Sequence, residues 1–205
     1  MSEDKKDFPT AVAAPDGDIV PLTLTMVGNL LAMSRESPRK RMLQRLHKSL
    51  DAPTHRMFNA LQPGTYITPH RHLHPVKSET ILVISGSLLF VRFTEDGDIA
   101  DHTLLQPGTE TFGVDVAPHV FHTYVALKPD TLIFEVKDGP CVPDMDKDTP
   151  SWAPAEGEEG AEAYMLTMLK GLAELATAQA EAAKAKAEAQ GKDTGGKMKD
   201  GNGEG

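Results

Sequence analysis

The reading turns on one stretch, Gly64-Thr-Tyr-Ile-Thr-Pro-His70-Arg-His72-Leu-His74-Pro-Val-Lys-Ser-Glu79, which runs straight into the apolar segment Thr80-Ile-Leu-Val-Ile84. Its β-branched and aromatic content reads as strand, and side chains two apart on a strand share a face. His70 and His72 then point the same way, about 7 Å apart along the backbone. Two imidazoles so placed can share one ion. Glu79 opens an apolar strand, where a carboxylate is out of place without a partner. A second group, His119 and His122, follows far along the chain after Pro118, and His122 falls one residue into another strand. Three neutral imidazoles and one carboxylate suit a borderline divalent ion: Zn, Fe, Mn, Ni or Co.

The same grammar extends on both sides. Short runs rich in Val, Ile, Thr and aromatics predict strands over 58–61, 65–72, 79–84, 87–93, 99–105, 111–116, 121–127 and 131–136. Turn chemistry separates them, including Gln62-Pro-Gly64, Ser85-Gly86, Gln106-Pro-Gly108 and Lys128-Pro-Asp130. Eight short strands without intervening helices imply an antiparallel sandwich, a jelly roll or a closed barrel. Alternation puts Tyr66 and Thr68 on the face of His70, and Tyr124 on the face of His122. The two tyrosines are pocket candidates for orienting a substrate or moving a proton, or else they fill the core.

Outside this zone the pattern changes. Leu22, Met26, Leu30 and Met33, then Met42, Leu43, Leu46 and Leu50, recur at helical spacing and predict helices within 19–50. Residues 1–18 read as a flexible leader, 138–160 as a loop with Trp152 as an anchor for docking, 158–190 as an Ala-rich helix and 191–205 as a disordered tail. The Leu/Met stripe of that helix suits either a homodimer contact or an isolated exposed helix.

At 205 residues and 40% hydrophobic content, the chain supports one sizeable core. A formal charge of −9 argues against general nucleic-acid binding, which depends on Lys and Arg. No run approaches the ~18 apolar residues of a membrane span, and one cysteine, Cys141, excludes an intrachain disulfide. A cytoplasmic protein is the expectation. Locally the charge reverses: Arg35, Arg39, Lys40, Arg41, Arg45 and Lys48 face only Glu36. Arg39 and Arg41 are the substrate-binding candidates there, because a guanidinium grips phosphate or carboxylate in a bidentate manner.

The run from Gly64 through His70 and His72 to Glu79 and Gly86 resembles the first cupin motif, and residues 118–122 resemble the end of the second. More narrowly, Pro38-Arg-Lys-Arg41, Pro63-Gly-Thr-Tyr66, Glu135-Val-Lys-Asp-Gly-Pro140 and Trp152-Ala-Pro-Ala-Glu156 are similar to WbuC-type cupin-fold metalloproteins, over about residues 20–157. The resemblance implies a mainly β fold, a cupin-type double-stranded β-helix or jelly-roll barrel. It implies a divalent metal ion held by residues matching His70, His72, Glu79 and His122. It also implies a small-molecule ligand linked to polysaccharide biosynthesis; the basic run suits an anionic sugar or sugar phosphate, and an ion that polarises a substrate oxygen suits metal-assisted isomerisation or epimerisation. A non-catalytic metal-dependent binding module and an Fe(II) oxygenase are the alternatives. The gap from His72 to Glu79 is longer than in that motif, and a His72/His74 pair restores it. Against this register, the five residues after Gly64 lead to His70, and Pro75 sets His74 in a loop. The second motif lacks its glycine, and Ala126 stands where its asparagine falls.

Overall fold

The computed structural model describes residues 8–142 and 145–193. The chain divides into two compact units, Met1–Glu162 and Ala163–Gly205. The first unit begins with β1 (Ala11–Val12), α1 (Leu24–Glu36), β2 (Arg41–Arg45) and β3 (Thr54–Leu61). It continues with β4 (Glu79–Ser85), β5 (Leu88–Phe93), β6 (Ile99–Leu105), β7 (Gly113–Val116), β8 (His122–Ala126) and β9 (Thr131–Asp138). A second helix, α2, covers Ala161–Asp193. Among the described residues, no helix is long and apolar enough to cross a membrane.

The strands form two sheets, one ordered β1-β2-β3-β9-β4-β7 and the other β6-β5-β8. Strands from β3 to β9 shuttle between the two layers, which is the winding of a jelly roll. The fold is therefore mainly β and of the expected kind, but as a sandwich whose barrel is not closed. Segment 65–72, expected as a strand, explains part of the opening. It runs beside β8 and is tied to it by a reciprocal pair: His70 N–H donates to His122 O at 3.0 Å, and His122 N–H to His70 O at 2.9 Å. Pro69 has no N–H to extend that ladder.

Alternation sorts the large sheet. On the outer face, Met42, Phe58, Ala60 and Leu132 pack with Leu30 of α1. That helix starts where Thr23 Oγ1 accepts from Met26 N–H at 3.2 Å, a side-chain cap for an otherwise unmet donor. On the inner face, Leu61, Ile81, Val83 and Ile133 meet Leu88, Phe90, Tyr124 and Ala126 from the other layer. Gly86 makes the crossing from β4 to β5 at φ +85°, and a Cβ there would come within 2.6 Å of Thr131 Cα.

The helix expected beyond Met42 is a strand. Met42 and Leu43 point to opposite faces of β2, and Leu46 returns to the outer cluster, so helical spacing and strand alternation both fit these few residues. Pairing with β3, from Arg41 opposite Leu61 to Arg45 opposite Met57, decides it. Of the leader expected over 1–18, residues 1–7 lie outside the described set, while Ala11 and Val12 pair in parallel with β2. Most of the tail expected over 191–205, from residue 194 onward, likewise lies outside it.

Candidate metal centre

Four buried side chains converge from three parts of the chain: His70, His72, Glu79 and His122 each offer one ligand atom, all within 4.8 Å of one another. Backbone geometry aims them. His70 and His72 turn inward while Arg71 turns outward, donating to Asp148 Oδ2 at 2.6 Å and lying 4.1 Å over the Phe121 ring. The β-bridge sets His122 beside His70, with ring centroids 4.6 Å apart. Glu79 enters from the first residue of β4, where alternation sends it to the face shared with Ile81 and Val83.

Each ring is held by a backbone carbonyl. His70 Nδ1 lies 2.9 Å from Thr68 O, His122 Nδ1 2.9 Å from Val120 O, and His72 Nδ1 2.5 Å from Asp146 O. A carbonyl only accepts, so all three protons sit on Nδ1 and all three Nε2 lone pairs remain for the centre. Burial presses the His70 imidazole well below its ordinary pKa, which keeps it neutral. Burial opposes ionisation of Glu79, so a charged carboxylate there calls for a positive partner at the centre.

Glu79 Oε1 lies 2.6 Å from His122 Nε2 and 3.7 Å from His72 Nε2. These are acceptors facing acceptors. Among the described residues, Glu79 Oε1, His72 Nε2 and His122 Nε2 are buried and find no hydrogen-bond partner. Orphaned buried acceptors of this kind call for a cation. The donor set, three imidazoles and a carboxylate, fits a divalent ion and leaves its identity open.

A cavity of about 250 Å³ opens beside the centre. His70 and Glu79 line it, together with Arg39, Arg41, Arg45, Asn59, Tyr124, Glu135, Lys137 and Asp146. Tyr124 Oη accepts from Asn59 Nδ2 at 3.2 Å and faces Glu135 Oε2 at 3.5 Å. Burial, reinforced by Glu135 and Glu79, pushes this phenol well above its usual pKa, so it stands as a donor rather than a base. Burial and the charge of Glu79 likewise raise Glu135. Lys137 stays cationic: burial lowers its pKa, but Glu135 and Asp146 outweigh that.

The other expected site residues are placed differently. Tyr66 is not among the cavity-lining residues, and its hydroxyl donates to Pro154 O at 2.8 Å. Alternation fails for it because 65–72 lacks a full ladder to fix the face. Arg39 reaches the cavity but donates Nε to Glu156 Oε1 at 2.6 Å, and Arg41 bonds to Glu156 and to Tyr66 O. Trp152 is an internal anchor, packed against Phe93 and Phe121 with its indole N–H on Glu95 O at 3.0 Å. His74 and His119 are exposed.

Sequence reasoning missed His47 and His55, which read as surface residues. They are 5% and 2% exposed, stacked 4.0 Å apart, and line the cavity. It also missed the ion group of Lys77, Lys137 and Asp146. Lys137 Nζ donates to Asp146 Oδ2 at 2.7 Å, and Lys77 bonds to the same carboxylate. Glu135 and Lys137 carried a usable signal, since charges at alternate positions in an apolar strand point inward just as Glu79 does. Asp146, in a loop, carried none.

A family model described as a domain of unknown function, DUF6016, matches residues 22–105. No curated protein matches the chain. Several solved structures are similar. One is KdgF from Halomonas sp., at 21% identity and TM-score 0.40, covering 51% of this chain and 83% of that one. Another is the capsular polysaccharide assembling protein CapF from Staphylococcus aureus, at 20% identity and TM-score 0.44, covering 53% and 29%. Oxalate decarboxylase from Bacillus subtilis matches at 17% identity and TM-score 0.39, covering 49% and 24%. This chain thus spans less than a third of the CapF and decarboxylase chains.

Proposed function

We propose that this is a metal-dependent cupin of the WbuC type. It holds a divalent ion through His70, His72, Glu79 and His122 and takes a small anionic molecule, of the size and charge of a sugar acid or sugar phosphate, into the adjoining cavity. The observation that carries the reading is the convergence of three Nε2 lone pairs and one carboxylate oxygen, of which His72 Nε2, His122 Nε2 and Glu79 Oε1 are buried with no hydrogen-bond partner among the described residues. A bound divalent ion polarises a substrate oxygen, the chemistry of isomerisation and epimerisation. The remaining work belongs to the chain. Tyr124 presents a neutral hydroxyl to the ligand, and Lys137 offsets the charge of Glu135 and Glu79. Arg39 and Arg41, neutralised in part by Glu156, add to the positive potential of the wall. A ligand-contacting ion is favoured over a purely structural one because His70 and Glu79 both face the cavity; a structural ion is closed off by its ligands.

The test is elemental analysis of protein purified without added metal, wild type against the double variant His70→Ala/His122→Ala. Stoichiometric metal in the wild type and none in the variant is the expected result. Equal metal in both overturns the ligand set.

A further inference from the structure

The three arginines along the cavity wall are not equivalent. Arg39 and Arg41 share Glu156. The guanidinium of Arg45, at the far end of β2, makes no hydrogen bond or ion pair with the described residues, and its Nε is buried without a partner. One strand away on the same face, Asn59 is 6% exposed, and its Oδ1 is a second buried atom without a partner among the described residues. Its amide is already committed to Tyr124. Arg45 is only half-buried, but its Nε and the Asn59 Oδ1 are both buried, line one cavity and find no partner among the described residues, which is costly unless something polar meets them.

Position supplies the rest. The sheet order β2-β3-β9-β4 sets Arg45 and Glu79 three strand spacings and two residues of register apart, about 16 Å at the backbone, and the arginine arm shortens that gap. The face between them carries Met57 and Glu135 in one row and His55 and Lys137 in the next. Burial lowers the pKa of both stacked histidines, so they add little charge near neutral pH. Among the described residues, Arg45 is thus a cavity-lining cation without an anionic partner, set apart from His70 and Glu79.

We infer that the cavity is a two-headed site: a small molecule carrying two oxygen-rich ends meets the metal centre with one and places a carboxylate or phosphate on Arg45 with the other, while Asn59, beside Arg45, accepts a hydrogen bond from a ligand hydroxyl near that second end. This rests on the metal centre proposed above. It adds the second anchor and the substrate class, a compact ditopic oxyanion. Arg45 acts on specificity and positioning and does not touch the reacting atoms.

The experiment titrates acetate, malonate and adipate into the metal-bearing full chain by calorimetry, in the wild type and in Arg45→Gln, with metal content measured on the same samples. Acetate and malonate bind at one ion alone, malonate by chelation; adipate is long enough to reach further. In the wild type, adipate binds about tenfold or more tighter than acetate, the scale of one charge-assisted contact. In Arg45→Gln that advantage disappears, with metal content and malonate affinity unchanged. Adipate no tighter than acetate in the wild type overturns the inference, and this arm needs no variant to fold. An adipate advantage that survives in metal-bearing Arg45→Gln overturns it as well. Wild-type protein without stoichiometric metal defeats the metal centre itself and the two-headed site with it, and the metal measurement separates that case from the other two.

Discussion

The two faces of the six-stranded sheet are built from the same strands and do opposite things. Met42, Phe58, Ala60 and Leu132 point outward and close against α1 in an apolar cluster. Their immediate neighbours Arg41, Asn59 and Leu61, and two residues on from Ile133 also Glu135, point inward, where apolar packing gives way to a charged cavity. A single-residue step in register would exchange the two faces. The lesson is a division of labour: the outer face stabilises the sheet and thereby permits the inner one to keep polar groups that cost stability.

The sharpest test of that division is Glu79→Gln on the inner face. Replacing the anionic carboxylate ligand by a neutral amide should weaken metal binding by more than the roughly 10–100-fold that removal of an outer-shell partner costs. Metal titration of the apoprotein measures it. The fold should survive, because Glu79 contributes no apolar packing.

Next in size is the outer face. Leu132 is 2% exposed beneath α1, so Leu132→Ala should cost about 2–5 kcal/mol in denaturant unfolding through the cavity it leaves. Metal stoichiometry in the folded fraction should not change. If Leu132→Ala loses metal as completely as Glu79→Gln, the two faces are not independent and the division fails.

A smaller effect tests the rim. Burial disfavours ionised Glu156, but Arg39 and Arg41 outweigh it and hold its pKa below the usual carboxylate range. A carboxylate with a depressed folded pKa stabilises the native state above its unfolded pKa, about 4.3 for Glu, and that contribution is lost as pH falls below it. The melting temperature of wild type should therefore exceed that of Glu156→Gln at pH 6–8, and the gap should shrink as pH drops through about 4. A gap independent of pH would show that the Glu156 charge is not what holds the two arginines.

Much of this was legible because strands announce themselves through alternation. His70, His72, Glu79 and His122 stood out as polar residues placed where strand periodicity sends them inward, and the winding followed from eight short strands with turns between them. What was hidden depends on contacts remote in sequence. His47 and His55 have polar neighbours along the chain, and only the meeting of β2 with β3 buries them. Tyr66 was given a face by a ladder that Pro69 interrupts. Asp146 reached Lys77 and Lys137 from a loop, where no period constrains a side chain.

The smallest expected effect concerns the histidine that spacing alone made a rival. A His72/His74 register restores the family's interval to Glu79, yet Leu73 and Val76 bridge across a tight turn that leaves His74 exposed. Shifting the register by two would draw His74 inward and expel His70, whose backbone is locked to His122 in both directions. Two backbone hydrogen bonds would break, and a buried imidazole would lose its place against Thr68 O. His74→Ala should accordingly leave metal content unchanged and move unfolding stability by no more than about 0.5 kcal/mol, as for an ordinary surface substitution. Loss of metal in His74→Ala with retention in His70→Ala would reverse the assignment and move the inner face's boundary into the 73–78 turn.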